Sequence, residues 1–114
     1  MLKPQYRLKK RTAFAATYRT GLSYYKDGIT MFCGKENKYH CETKFGFVVS
    51  KKIHKRAVKR NRIKRLMRES LRLYIKEFGV SNKFMSVIFV ASTKILNKKF
   101  SDVDEIMKKL VRYL

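Results

Sequence analysis

Apolar residues along this chain change their spacing from segment to segment, and the spacing predicts the elements. From Lys55 to Phe78, Ile63, Leu66, Met67, Leu71, Tyr74, Ile75 and Phe78 recur at three- and four-residue steps, with Ser70 in the same series. That period is the stripe of an amphipathic helix, and Gly79 supplies its stop. Val103, Ile106, Met107, Leu110, Val111 and Leu114 form a second stripe, for which Ser101 with Asp104 resembles a capping box. A shorter helix is predicted from a Thr12 cap to about Thr20, stopped by Gly21, with Phe14 and Tyr18 four apart on one face.

The remaining apolar runs read as strands. Tyr24-Tyr25 starts a short one, and Gly28 to Cys33 follows with β-branched and aromatic residues after a turn glycine. Gly34 to Cys41 is a polar loop, and Thr43 to Ser50 is the next strand, expected to pair with Gly28–Cys33 as a hairpin. Ser86 to Ser92 is a short continuous apolar run, the pattern of a central strand. The order is α-β-β-β-α-β-α, an α+β sandwich with helices packed on a four-stranded sheet. A chain of 114 residues, without internal repeats or linkers and with its only proline at Pro4, is expected to be a single domain, residues 1–114, behind a flexible basic N-terminal arm, 1–10.

Charge changes the picture from a small fold to a ligand-binding one. Lys and Arg number 29 against 8 Asp and Glu, a formal net charge of +21. Self-repulsion on that scale opposes folding and points to a polyanion, nucleic acid or an acidic membrane surface. No apolar run approaches the roughly 18 residues that span a bilayer, and no apolar stretch follows the first basic residues, so a cytoplasmic protein without a membrane is expected. Cys33 and Cys41 then read as reduced thiols. Cys33, His40 and Cys41 are the conceivable metal ligands, but a buried strand cysteine and a loop His-Cys pair are the preferred reading, with no metal bound.

The charge is concentrated. Residues 51–68 read KKIHKRAVKRNRIKRLMR, ten of 18 being Lys or Arg, and no acid occurs from Thr43 through Arg68. Ordinary solvated helix faces mix signs, because like charges at i,i+4 repel. A wheel at about 100° per residue sets Arg65 and Arg72 opposite the apolar arc with Arg62 and Arg68 flanking, all within reach of a polyanion. Arg60 points into the apolar arc, so either the core ends before that turn or Arg60 lines a groove. These residues form a phosphate-binding face, but they do not distinguish RNA from DNA.

Val49-Ser50-Lys51-Lys52 followed by Ala57-Val58-Lys59-Arg60-Asn61-Arg62-Ile63-Lys64-Arg65-Leu66-Met67-Arg68-Glu69 resembles the signature of the bacterial ribonuclease P protein subunit. Phe14 and Tyr18 resemble that family's paired first-helix aromatics and Gly21 its following glycine. Ile53-His54-Lys55-Arg56 departs from the shorter, glycine-containing turn of many members. The resemblance implies that the protein is a subunit of an endoribonuclease whose RNA is the catalyst, removing the 5′ leader of precursor tRNA. It implies RNA-subunit binding by Lys51, Lys52, Arg56, Arg60, Asn61, Arg62, Lys64, Arg65 and Arg68. It also implies a leader-binding cleft between the first helix and the sheet, carrying Phe14, Tyr18 and Phe32. Mg²⁺ would serve the holoenzyme and be held mainly by RNA, with none bound by the protein alone. Partners would be the catalytic RNA and precursor tRNA, with no obligate protein partner. The resemblance further implies a left-handed β-α-β crossover, where general rules give a right-handed one.

The residues are compatible with this. Phe32 alternates with Met31 and Cys33, so it lies on the opposite face from them. A single-strand binder needs π-faces beside cations. For Phe14 the core and the cleft are equally open readings, and for Tyr18 and Phe32 the resemblance favours the cleft. An independent nuclease would need clustered carboxylates or a histidine pair. The acids, Asp27, Glu36, Glu42, Glu69, Glu77, Asp102, Asp104 and Glu105, are instead scattered, and His40 and His54 share no motif. A ribosomal or RNA-chaperone protein would explain the charge but not the Arg-Asn-Arg block.

Overall fold

The structure, a computed structural model, describes residues 3–39, 41–79 and 82–114. Its elements are α1 (Arg11–Arg19), β1 (Leu22–Lys26), β2 (Ile29–Cys33), β3 (Lys44–Val49), α2 (Ala57–Phe78), β4 (Ser86–Ala91) and α3 (Phe100–Val111), with 3₁₀ turns at Pro4–Tyr6 and Thr93–Ile95. The four strands form one sheet in the order β1-β2-β4-β3. β1–β2 and β2–β4 are antiparallel, and β3 runs parallel to β4. A parallel pair cannot be closed by a tight turn, and α2 is the crossover.

The hairpin that forms is not the one the local pattern suggests. Asp27 and Gly28, both at positive φ (43° and 106°), make a two-residue turn that closes Lys26 against Ile29. Turns of that kind match the natural twist of paired strands. The expected hairpin between β2 and β3 is absent because β4 inserts between them. Val87, Ile88, Phe89 and Ala91 of β4 are all buried, as a strand covered on both faces requires.

Register sorts the side chains. Ile29, Met31, Cys33, Phe45, Val49, Val87, Phe89 and Ala91 face one way and form the main core with Ile63, Met67 and Leu71 of α2 and Val103, Met107 and Leu110 of α3. Ser70 Oγ donates to Asp104 Oδ1 at 2.7 Å, tying the two helices inside that layer. Asp104 also pairs with Lys108. The α3 cap is therefore not Ser101 with Asp104. The helix starts at Phe100, and the Lys99 N–H donates to the Asp102 carboxylate at 3.3 Å. Nor does Thr12 cap α1, whose N-cap is Lys10. At the other end of the long helix the reading holds: Gly79, at φ 80°, donates its N–H to the Ile75 carbonyl.

α1 covers part of the opposite face. Thr17 Oγ1 lies 2.5 Å from Ser86 Oγ, and Thr20 Oγ1 donates to the Cys33 carbonyl, so hydroxyls fasten the helix to β4 and β2. Phe14 lies on Gly46, where an added Cβ would come within 2.6 Å of the ring. Glycine at that point is what lets α1 sit this close to β3. The N-terminal segment runs along the free edge of β3, with Arg7 bridging to Phe45 and the Leu8 N–H donating to the Phe45 carbonyl at 2.7 Å.

Candidate nucleic-acid interface

Two surfaces emerge, on opposite faces of the sheet. The first is the cleft beside α1. Phe32, Ile88 and Gly46 stand in register across β2, β4 and β3, and Thr30, Val90 and Val48 form the next row. Ile88 is fully buried. Tyr18 meets Phe32 edge to face, with ring centroids 4.9 Å apart and planes at 83°. Tyr18 remains 39% exposed, and its phenol is held above the usual range by partial burial. Phe14 and Phe32 are half-buried. The three aromatics singled out in the sequence thus share one wall, with Phe14 seated deepest on the Gly46 backbone. Thr30, Val48 and Val90 form the half-buried floor of the second row. Sequence reading missed them because β-branched strand residues look like core. Only the register shows that α1 stops short of their row.

The second surface is the basic block. It begins in the turn after β3, where the Lys52 N–H donates to Ser50 Oγ and the Arg56 N–H donates to His54 Nδ1. Arg60 closes this turn. Its Nη1 donates to the His54 and Lys55 carbonyls, both at 2.8 Å, which explains why it points toward the apolar side of the helix. Arg62 donates to the Lys98 carbonyl at 3.1 Å and so ties α2 to the turn before α3. Two arginines of the Arg-Asn-Arg core therefore each have a structural duty.

Arg72 departs from expectation more strongly. It holds Glu69 in a two-point contact, at 2.6 and 3.1 Å, and is not left for a polyanion. That contact keeps the Glu69 carboxyl below its usual range. Arg68 lies over the Phe47 ring, 5.9 Å from its centroid. Partial burial and then the neighbouring charges of Arg7 and Arg65 pull its pKa down. Lys51, Lys52, Arg56, Asn61 and Arg65 are exposed, and Lys64 is half-buried. None of these cations has a carboxylate partner among the described residues.

The two surfaces are joined around the β3 edge. Around that edge Arg7, which bridges to Phe45, lies near enough to Arg68 to depress its pKa, and Lys44 donates to the Gln5 carbonyl, so the N-terminal segment and α2 share a basic belt. The first turns of α1 and α2 contain no acid, although a helix N-terminus favours negative charge. Cations there are opposed by the helix dipole as well as by each other, and an approaching phosphate relieves both. The belt was not singled out in the sequence, since the arm is far from the block along the chain.

The other candidate groups are elsewhere. Cys33 is fully buried on the core side of β2, with its thiol pushed up to about 11 by burial, against a smaller opposing effect of Lys83. Cys41 is exposed, and His40 lies outside the described residues. Among the described residues no helix is long and apolar enough to cross a membrane.

Comparison with known proteins gives one consistent result. The family model described as Ribonuclease P matches residues 2–114. The ribonuclease P protein component of Clostridium kluyveri is 33% identical over 107 residues, covering 94% of this chain and 92% of that protein. That of Fusobacterium nucleatum is 34% identical over 109 residues, covering 92% and 93%. Among solved structures, the Staphylococcus aureus ribonuclease P protein superposes with a TM-score of 0.80 at 25% identity, covering 95% of this chain and 94% of that one. The Thermotoga maritima ribonuclease P protein, at 22% identity and a TM-score of 0.79, shares the fold.

Proposed function

The chain belongs to the ribonuclease P protein family, and from that premise we propose how its two surfaces divide the work. The protein is a component of the ribonuclease P ribonucleoprotein, with the enzyme's RNA subunit as its partner. In this reading the turn at 50–56 and the outward face of α2 hold that RNA, and the cleft beside α1 holds the single-stranded 5′ leader of precursor tRNA.

One observation carries the reading. An accessible aromatic pair, Tyr18 and Phe32, stands on one face of a sheet flanked by the cation-rich N-terminal segment and the basic block. Stacking on a π-face is indifferent to base identity, and cations track the backbone, so such a cleft takes varied single strands. Arginine forks suit phosphate contacts at the second surface. Arg65 contributes directly there, while Arg60 and Arg62 also shape the turn and helix that present the others. The chemistry of cleavage belongs to the RNA and the Mg²⁺ it holds. Among the described residues no three His, Cys, Asp or Glu side chains come together in a way that could hold a metal ion. The reading places the protein in the bacterial cytoplasm with its RNA and requires no protein partner.

Arg65→Ala tests the assignment of the basic face. The side chain is exposed, so stability should change by no more than about 0.5 kcal/mol. Binding to a bacterial ribonuclease P RNA should weaken, and the slope of log K against log salt should lose about one unit. Filter binding at several salt concentrations measures both. Arg62→Ala should do the same and in addition lower the unfolding midpoint, because it also loses the bond to the Lys98 carbonyl. An unchanged salt slope in both variants would remove this face from the RNA contact.

A further inference from the structure

We propose that the strand held in the cleft continues over the β1 edge onto a second stacking and phosphate site formed by Tyr25, Lys26, Arg112 and Tyr113. This inference rests on the cleft being the leader site.

The row of cleft-floor residues does not end at Thr30. In register it runs Val48, Val90, Thr30, Tyr25, so the next residue on the same face is a tyrosine. Tyr25 is 58% exposed, on the last strand of the sheet. Beyond it lies a surface hollow of about 470 Å³ lined by Tyr25, Lys26, Lys109, Leu110, Arg112 and Tyr113. Its charged lining is entirely cationic. The neighbouring hollow toward the start of α3 interleaves Asp27, Asp102 and Glu105 with lysines, and Lys109, which lines both hollows, pairs with Glu105 at 3.6 Å, leaving Lys26 and Arg112 as the cations for a ligand.

Tyr113 is built into the wall. It stacks on Tyr24, centroids 4.0 Å apart and planes within 12°, and still leaves half its surface open. Tyr24 faces the core layer and is covered by Tyr113, while Tyr25 faces the cleft, so the exposed rings of Tyr25 and Tyr113 lie on either side of the sheet edge. Lys26 and Arg112 supply the charge for the backbone between them. π-faces beside cations are the requirements of a single-strand site, and Lys26 and Arg112, which have no carboxylate partner among the described residues, provide the cations here in continuity with the cleft.

The direction follows from topology. β3, beside the basic block, and β1 are opposite edges of the sheet. If the catalytic RNA lies against the basic block, the strand enters over β3 and leaves over β1. The β1 site then meets leader nucleotides farther from the cleavage position than those at Phe32.

The test uses holoenzyme reconstituted with a bacterial ribonuclease P RNA and a series of precursor tRNAs whose leaders lengthen one nucleotide at a time. Affinity should rise with leader length in two stages. Tyr25→Ala and Arg112→Ala should abolish the second stage only, each lowering long-leader affinity by about 5-fold or more and leaving short-leader and mature tRNA binding unchanged. A photo-crosslinking residue in place of Tyr25 should label nucleotides upstream of those labelled from position 32. Both changes fall on exposed side chains, and thermal unfolding checks that the fold is kept. If both variants bind every leader as the parent does, while Tyr18→Ala still lowers leader affinity, the β1 site is refuted and the cleft stands. An equal loss with mature tRNA would assign the patch to another contact and refute it too. If Tyr18→Ala and Phe32→Ala have no leader effect either, cleft and extension fall together.

Discussion

The affinity of this protein for the ribonuclease P RNA is expected to fall by about 10³–10⁵ between roughly 50 and 200 mM salt, if the basic face neutralises about 6–10 phosphates. The reason is the acid-free surface. Lys51, Lys52, Lys55, Arg56, Lys59 and Arg65 are exposed without carboxylate partners among the described residues, and Arg68 lies beside them. Each phosphate they neutralise releases condensed counterions, and added salt opposes that release. The range is that of duplex DNA, and single-stranded segments give a shallower slope. Arg72 is excluded from the count because Glu69 holds it. The measurement is log K against log salt. A flat line would mean that something other than charge holds the RNA.

Phe32→Ala and Tyr18→Ala are expected to weaken discrimination between precursor and mature tRNA by about 5- to 150-fold each, the worth of one stacked base. Mature tRNA, which lacks the leader, should bind almost unchanged. The geometry separates this from a packing effect. Tyr18 is 39% exposed, so its removal opens no enclosed cavity. A fully buried aromatic would instead cost about 3–5 kcal/mol on truncation and damage every activity together. Phe14 is the control. Its ring lies on Gly46, and Phe14→Ala should lower stability along with leader binding. Thermal unfolding run beside binding of tRNAs with and without a leader decides. Loss of stability without a leader-specific effect would return Tyr18 and Phe32 to packing.

What could be read in the sequence was local. The period of α2, its glycine stop, the alternation that turns Phe32 away from Met31 and Cys33, and the density of charge are all set within a few residues, and each appears as expected. The departures in strand pairing and in the α3 cap come from pairings across long separations, whereas the Lys10 cap and the Glu69–Arg72 pair are local. β2 and β3 look like hairpin partners until β4, some forty residues later, inserts between them. Ser101 and Asp104 have capping-box spacing, but Asp104 answers to Ser70 on another helix. A helical wheel gives the direction of Arg60, Arg62 and Arg72 without showing what waits there: two turn carbonyls, the Lys98 carbonyl and the Glu69 carboxylate. The Val48, Val90 and Thr30 floor and the β3-edge belt likewise exist only once register and topology are known. The aromatic residues of the cleft are named through resemblance to a family, since helical spacing and strand alternation leave Phe14, Tyr18 and Phe32 open between core and cleft.

The most direct test of the account is cleavage of a precursor tRNA in Mg²⁺ by three samples: the nuclease-free purified protein, a bacterial ribonuclease P RNA, and the two combined. Glu69 is held by Arg72, Asp104 by Ser70 and Lys108, and Glu105 by Lys109, and among the described residues no group of carboxylates, histidines or cysteines could hold a metal ion. The protein alone should give no product, and the combination should remove the 5′ leader efficiently, an activity lost in parallel with RNA binding as salt is raised. Robust cleavage by the protein without RNA, abolished by substitution of a single carboxylate, would contradict it.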